Sequence, residues 1–228
     1  MAIYALADLH LPGGQKKTMD RFGAVWQNHP QKIAQRWTET VKPGDTVLLP
    51  GDLSWAMTEE EAQEDMAFLS SLPGRKILLR GNHDYWWSSV SRLRRRFTGL
   101  EFLQNDALES EGYVICGCRG WLSPASEGCT AQDAKIYARE LIRAELSLMA
   151  GQKKGGPLLF CCHYPPLWTG EEDSPLFSLV RQAGGKAILF GHVHGQENFC
   201  KAQQGEKDGI TLYLTSADYL KFTPRRIV

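Results

Sequence analysis

The sequence predicts an α/β fold in which sheet and helix stack as the layers of one domain spanning residues 1–228. Three observations predict it. Short apolar runs of strand length recur along the chain with amphipathic helical stretches between them, the alternation that marks βαβ units and parallel sheets. Five of those runs lead directly into a segment bearing histidine or carboxylate: Asp8-Leu9-His10, Gly51-Asp52, Gly81-Asn82-His83-Asp84, His163 and Gly191-His192-Val193-His194. Residues delivered from strand ends converge on one rim of a sheet, where open α/β folds put their sites. Finally, the 228 residues carry no internal repeat or Pro/Ser-rich linker, and their 43% hydrophobic content suffices for one sizeable core.

Taken in order, Ile3 to Ala7 reads as the first strand and leads into Asp8. Thr18 to Glu39 reads as helical, since Phe22, Val25, Trp26, Ile33 and Trp37 form an apolar stripe, with a break or kink at Pro30. Thr46 to Leu49 is the second strand. Thr58 to Leu72 follows as a helix: Thr58 is the expected cap, Glu59, Glu60 and Glu61 suit the positive end of the helix dipole, and Ala62, Met66 and Leu69 face inward. Lys76 to Leu79 is a third strand, and helices are expected at Trp87 to Phe97 and Ala131 to Ala150. Leu158 to Cys162 and Ala187 to Phe190 are further strands leading into His163 and His192. Val114 to Cys118 and Ile210 to Thr215 are free to pair differently, in a second sheet. Gly13-Gly14 and Gly155-Gly156 lack the strand-to-helix context of a phosphate loop and read as turns.

Composition excludes several classes. Basic and acidic residues number 26 each, so no net charge draws the chain to nucleic acid or an anionic membrane. No apolar run approaches the roughly 20 residues that span a bilayer, and the opening segment lacks a basic leader, so the cytoplasm is the expected location. None of the six cysteines stands in the Cys-x-x-Cys pairing of structural zinc sites. Cys116, Cys161 and Cys162 lie in apolar runs and read as reduced core residues.

The motif residues carry metal chemistry. Asp8 and His10 stand two apart, so in extended backbone both side chains point the same way and reach one ion; His192 and His194 repeat the spacing. Gly51 before Asp52, and Gly81 before Asn82, let the chain turn sharply past a strand end. A carboxylate bridges two cations through its two oxygens, and the Asn82 amide adds an oxygen without charge. Mixed Asp, Asn and His donors suit manganese, iron or zinc rather than magnesium or calcium. Singly, His163 would read as a core residue, and Asp8, Asp52 and Asp84 as caps or turn formers. His29, outside every motif, is assigned to the core. Joint occurrence at five strand ends is what points to a metal centre.

These five blocks, in this order, resemble the motif set of the calcineurin-like metallophosphoesterases, and the resemblance runs from the first strand to about Gly195. It implies a layered β-sandwich flanked by helices and a metal-dependent phosphoric ester hydrolase. It implies further that Asp8, His10, Asp52 and His194 hold one divalent ion and Asp52, Asn82, His163 and His192 a second, with Asp52 bridging. Two transition-metal ions are then the expected cofactors, manganese first, with iron or zinc as alternatives. His83 would face the substrate without ligating, next to Asn82, with Asp84 orienting and polarising its ring. Such centres lower the pKa of bound water for in-line attack on phosphorus, and His83 would stabilise the phosphoryl charge or protonate the leaving alkoxide. The expected partner is a small phosphodiester or phosphomonoester, a nucleotide among the candidates.

Residues around the blocks narrow the substrate. Gly51-Asp52 continues as Leu53-Ser54-Trp55-Ala56 rather than the Asp-Arg-Gly element of protein Ser/Thr phosphatases, and His83 stands where lipid A pathway pyrophosphatases usually carry arginine. Ser54-Trp55-Ala56 and Tyr85-Trp86-Trp87 resemble instead a bacterial group of phosphohydrolases without an assigned substrate. Trp55, Tyr85, Trp86, Trp87, Trp121, Tyr164 and Trp168 crowd the motif loops, either lining a cleft for a base or aryl group or walling the metal loops. Arg119 is the expected extra phosphate contact, with a surface ion pair as its bland alternative. Arg92, Arg94, Arg95 and Arg96 form a basic run on a helix that turns Val90, Leu93 and Phe97 inward, so a solvated face accounts for them more simply than nucleic acid. Two other functions stay open at this point: a nuclease acting on DNA or RNA, and a metal-free binding scaffold, which would be expected to have replaced ligands that are all present here.

Overall fold

The central strands are mostly apolar because they are covered on both faces. A computed structural model of the chain describes residues 1–14, 19–126 and 128–228. Its strands are β1 (Ile3–Ala5), β2 (Thr46–Pro50), β3 (Arg75–Leu79), β4 (Glu101–Phe102), β5 (Leu108–Ser110), β6 (Tyr113–Gly117), β7 (Leu158–Cys161), β8 (Gly185–Phe190), β9 (Gly205–Lys207), β10 (Ile210–Leu214) and β11 (Arg225–Arg226). Its helices are α1 (His29–Thr40), α2 (Gln63–Ser71), α3 (Val90–Arg96), α4 (Ala131–Lys154) and α5 (Pro175–Gln182). One sheet runs β11-β1-β2-β3-β4, parallel except for its edge β11. The other runs β5-β6-β7-β8-β10-β9, parallel in the middle, with β5 and β9 as antiparallel edges.

The sheets pack face to face. Ile3, Ala5, Leu48, Ile77 and Leu79 of the first meet Ile115, Leu159, Cys161, Ala187 and Leu189 of the second. Intervening residues point outward, as the period of two along a strand requires. Val47, Leu49 and Leu78 contribute to a core with Ile33 and Trp37 of α1, Met66 and Leu69 of α2 and Leu93 of α3. On the opposite side Val114, Phe160, Ile188 and Phe190 join Ala144 and Leu148 of α4 and Leu176, Phe177 and Val180 of α5. The layers are therefore helix, sheet, sheet, helix, and each fully buried Leu, Ile or Phe stabilises them by about 1.5–3 kcal/mol. Val114 to Cys118 and Ile210 to Thr215 do lie in a second sheet, but β7 and β8 lie there with them.

Helix boundaries depart from expectation for identifiable reasons. Thr18 lies outside the described residues. Met19–Phe22 and Ala24–Trp26 are 3-10 turns, and α1 begins only at His29, with Pro30 in its first turn, where a missing N–H costs nothing. Trp26, Ile33 and Trp37 are buried, whereas Phe22 and Val25 are exposed. Helix α2 starts at Gln63 rather than Thr58, because Thr58 accepts the Glu61 N–H, Glu61 accepts the Met57 N–H, and buried Glu59 pairs with Arg92. The acidic residues thus close a turn instead of opening a helix. Trp86 and Trp87 are anchored in the core, so α3 forms only from Val90. Helix α4 continues to Lys154 because a Cβ at residue 151 would collide with Cys116 Sγ, and Gly151 lets the helix lie against β6. The basic run is an ion-paired face: Arg92 and Arg96 meet Glu59, Arg96 also meets Glu60, and Arg94 meets Asp106. Among the described residues no helix is long and apolar enough to cross a membrane.

Candidate metal centre

Beyond the ends of β1, β2, β3, β7 and β8 the motif loops go on pairing with one another. Asp8 N–H donates to the Gly51 carbonyl at 2.9 Å, His10 N–H to the Asp52 carbonyl at 3.0 Å, and Gly191 N–H to the His163 carbonyl at 3.0 Å. These bonds hold four of the expected ligands in the left-handed backbone region, with φ of 59° at Asp8, 44° at His10, 53° at Asp52 and 71° at His192. That conformation costs a non-glycine residue about 1–2 kcal/mol, and strain of this kind gathers where side chains must meet. Gly51 makes the expected sharp turn, with φ of 92°. Gly81 serves differently: its φ is ordinary, but a Cβ there would overlap the Asp52 carboxylate. Gly81→Ala should therefore displace Asp52 and lower bound metal and turnover together, by about tenfold or more. Elemental analysis and an aryl phosphate assay on the folded variant check this.

The donor atoms form two groups. In one, His10 Nε2 lies 3.3 Å from His194 Nε2 and 3.8 Å from Asp52 Oδ2, while His194 Nε2 is 3.7 Å from Asp8 Oδ1. In the other, His163 Nε2 lies 2.7 Å from Asn82 Oδ1, 3.3 Å from His192 Nδ1 and 3.4 Å from the same Asp52 Oδ2. One oxygen of Asp52 thus faces both. Asp8 also stands near both, since Asp8, His10 and His194 cluster closely and so do Asp8, Asp52 and His163. The His163 atom nearest Asp8, however, is Nδ1, at 3.7 Å. That nitrogen lies 3.0 Å from the Pro50 carbonyl, to which it donates, so Nε2 is the nitrogen turned to Asn82 and Asp52. His194 is oriented in the same way by Asp218, whose Oδ1 lies 3.0 Å from Nδ1 and whose Oδ2 accepts the Gly195 N–H. Asp218 was not singled out in the sequence, where a lone aspartate beyond an apolar run carries no local signal. His29 lies outside both groups, and its Nε2 holds the His10 carbonyl at 3.0 Å.

Charge in this space is unbalanced. Burial pushes the Asp8 carboxyl up to about 6. Burial pulls His163 down, but the Asp52 and Asp8 carboxylates outweigh it and hold the imidazole at about 9. Burial likewise takes His10 well below its ordinary value and His192 down to about 3. For Asp52 burial acts upward, yet the His163 and His10 imidazoles keep it ionised, well below the usual carboxylate range. The protein's own compensation lies in His163 and in His194, which burial also pulls down but Asp8 and Asp218 hold above its ordinary value, with no lysine or arginine in either donor group. Cations fit better, because carboxylate, amide and imidazole donors converge.

The other expected site residues separate. His83 lines a cleft of about 360 Å³ beside His10 and His194, walled by Trp26 and Trp55, and its Nδ1 has no partner among the described residues. Asp84, expected to polarise His83, is fully buried and does something else. It accepts the N–H groups of Gly81, Asp52, Leu53 and Ser54 and the Trp86 indole N–H, tying two motif loops together, and no hydrogen bond joins it to the His83 ring. Four backbone donors needing one acceptor explain why a carboxylate stands there. Arg119, expected to contact phosphate, pairs with Glu140 at 3.1 Å, the ion pair named as its alternative, and lies over Trp121. The aromatics divide between both expected roles: Trp55 stacks on His10 at 4.9 Å and lines the cleft, Tyr164 covers His192 at 3.9 Å, and Trp86 and Trp87 are core.

Asp65 of α2 braces the same loops by accepting the Gly13 N–H and the Ser54 hydroxyl. Burial raises its carboxyl to about 6, with Ser54 and Gly13 only partly offsetting. An unfolded chain loses that proton near pH 4, so the folded state alone keeps it between about pH 4 and 6. Stability from this group is full below pH 4 and lost as pH rises through 6, by about 3 kcal/mol. Asp65→Asn should remove this dependence, so that denaturant unfolding of variant and parent diverges steadily from pH 4 to 7.

Residues 1–196 match the family described as calcineurin-like phosphoesterase. A Gene 66 protein of Mycobacterium phage L5 is 34% identical over 80 residues, covering 34% of this chain and 37% of that protein. Its namesake in Mycobacterium phage D29 is 35% identical over 82 residues, covering 36% and 40%. The chain thus spans about two fifths of the length of the curated relatives it matches. Among solved structures, Phosphopantetheinyl Hydrolase (PptH) from Mycobacterium tuberculosis superposes with a TM-score of 0.60 at 14% identity, over 100% of this chain and 95% of that one. A protein of unknown function from Aquifex aeolicus, AQ665, does so with a TM-score of 0.55 at 18% identity, over 99% and 95%. At these identities the likeness is one of fold.

Proposed function

The chain belongs to the calcineurin-like phosphoesterase family, and from that premise we propose that it is a dinuclear-metal phosphoesterase cutting a small phosphodiester or phosphomonoester. The observation that carries the reading is the meeting of two donor groups at Asp52 Oδ2, 3.8 Å from His10 Nε2 and 3.4 Å from His163 Nε2. Asp8, His10, Asp52 and His194 would hold one cation and Asp52, Asn82, His163 and His192 the other, manganese, iron or zinc by their donor chemistry. When bound, such cations supply Lewis acidity, lowering the pKa of water in the site and neutralising charge on the phosphoryl oxygens.

The chain's own groups do the rest. Asp218 and the Pro50 carbonyl fix the His194 and His163 tautomers, so both rings present Nε2. His83 is held beside the centre by the bond from its backbone N–H to Asp52 Oδ1 at 2.8 Å. Burial keeps that imidazole below its ordinary pKa, hence neutral near pH 7, and its task is to donate a hydrogen bond to charge developing on phosphate or leaving oxygen. The apolar wall of Trp26 and Trp55 receives the organic part of the ester and excludes water. The test is hydrolysis of p-nitrophenyl phosphate and bis-p-nitrophenyl phosphate by protein loaded with manganese, iron, zinc or magnesium. Turnover of either supports the reading, and none with any metal across a range of pH overturns it.

A further inference from the structure

The ends of β3, β4 and β6 border a second cleft, of about 330 Å³, that the chemistry above does not use. Its charged walls are Arg80, Arg119 and Arg143, against one carboxylate, Glu140. Glu140 is already committed: Oε1 lies 3.1 Å from Arg119 Nη2 and 3.6 Å from Arg143 Nε, and Oε2 accepts the Arg119 backbone N–H. Arg80 has neither hydrogen bond nor ion pair among the described residues, and its Nε is buried without a partner, as are Arg119 Nε and Ser88 Oγ. The carboxylate nearest Arg80 in sequence, Asp84, is filled by five N–H donors. Three guanidinium groups brought together with unspent donors form a costly arrangement that an anion relieves, and their planar forks match phosphate and carboxylate oxygens.

The cleft also stands beside the metal centre. Arg80 precedes Asn82 by two residues, a reach of at most about 7 Å of chain. The Arg119 carbonyl accepts the N–H groups of His163 and Tyr164, at 2.9 and 3.1 Å. Arg80 and Arg119 are thus carried by, or bonded to, segments that bear Asn82 and His163, and Arg143 joins them through Glu140. We propose that this cleft is a subsite for a second anionic group, phosphate or carboxylate, on the molecule whose ester is cut at the metal centre. The inference rests on the phosphoesterase reading and narrows it: the substrate is a small phosphoester with at least two anionic groups.

The experiment measures kcat/KM of the metal-loaded protein on alkanediol bisphosphates of graded length and on the matching alkanol monophosphates. At one length the bisphosphate should be preferred at least tenfold. Arg80→Met and Arg143→Met should each erase that preference, and Arg80→Lys should restore part of it. A preference absent at every length, or intact in both Met variants, overturns the proposal. If neither series is cut, p-nitrophenyl phosphate and bis-p-nitrophenyl phosphate decide whether the phosphoesterase reading itself has failed, and calorimetric titration with inorganic phosphate after metal removal reads the cleft alone. Binding lost in Arg80→Met then supports an anion site, filled by a separate anion, and binding unchanged in it overturns the site as well.

Discussion

Asp52→Ala is expected to abolish turnover and to leave the protein unable to retain two metal ions. Its Oδ2 faces Nε2 of both His10 and His163, one from each donor group, and its Oδ1 accepts the His83 backbone N–H at 2.8 Å. Without it Asp8 is the one carboxylate left in the two donor groups, and the loop bearing Asn82 and His83 loses an anchor. Removing a mere hydrogen-bond partner of a metal ligand costs about 10–100-fold in affinity or activity, so losing a shared ligand should exceed the upper figure. Elemental analysis of the purified variant, with an aryl phosphate assay in excess manganese, checks both parts. Two metals retained by the alanine variant would show that Asp52 is not shared.

His83→Ala is expected to separate what Asp52→Ala joins. The ring sits 4.7 Å from Trp55 and 6.1 Å from Tyr85, on the cleft side of the centre, and belongs to neither donor group. Metal content should remain that of the parent. Turnover should fall by about 10²–10³, the usual loss of a donor aimed at developing charge, with kcat dropping far more than KM rises. His83→Gln retains an N–H donor and should recover part of the rate. Loss of metal in the alanine variant would make His83 a ligand, and unchanged kcat would remove it from the chemistry.

The five motif blocks were legible because their information is local. A ligand directly after an apolar run announces both the strand and the rim to which it delivers, and alternate residues along β2 and β6 reach both cores as the period of two requires. What escaped reading depends on neighbours remote in sequence. Asp218 orients His194 across 24 positions, and Asp84 meets the Asp52 to Ser54 amides across some 30. Carboxylates of the same type therefore serve as ligand, tautomer clamp and loop tie, and only the fold tells them apart. Helix starts were misread where side chains found better partners than a helix end. Thr58 and Glu61 close a turn, Glu59 is drawn to Arg92, and Trp86 is held by Asp84. Arg80 drew no reading from the sequence, since its significance lies in partners it lacks among the described residues.

The central claim is that two cations share Asp52 and that hydrolysis needs both. Metal-stripped protein titrated with manganese, with bound metal and bis-p-nitrophenyl phosphate or p-nitrophenyl phosphate hydrolysis followed in the same samples, tests it most directly. The account predicts binding that saturates at two ions per chain, with turnover appearing as the second is taken up. Full turnover at one ion per chain, or two ions bound with no hydrolysis of either ester, would contradict it.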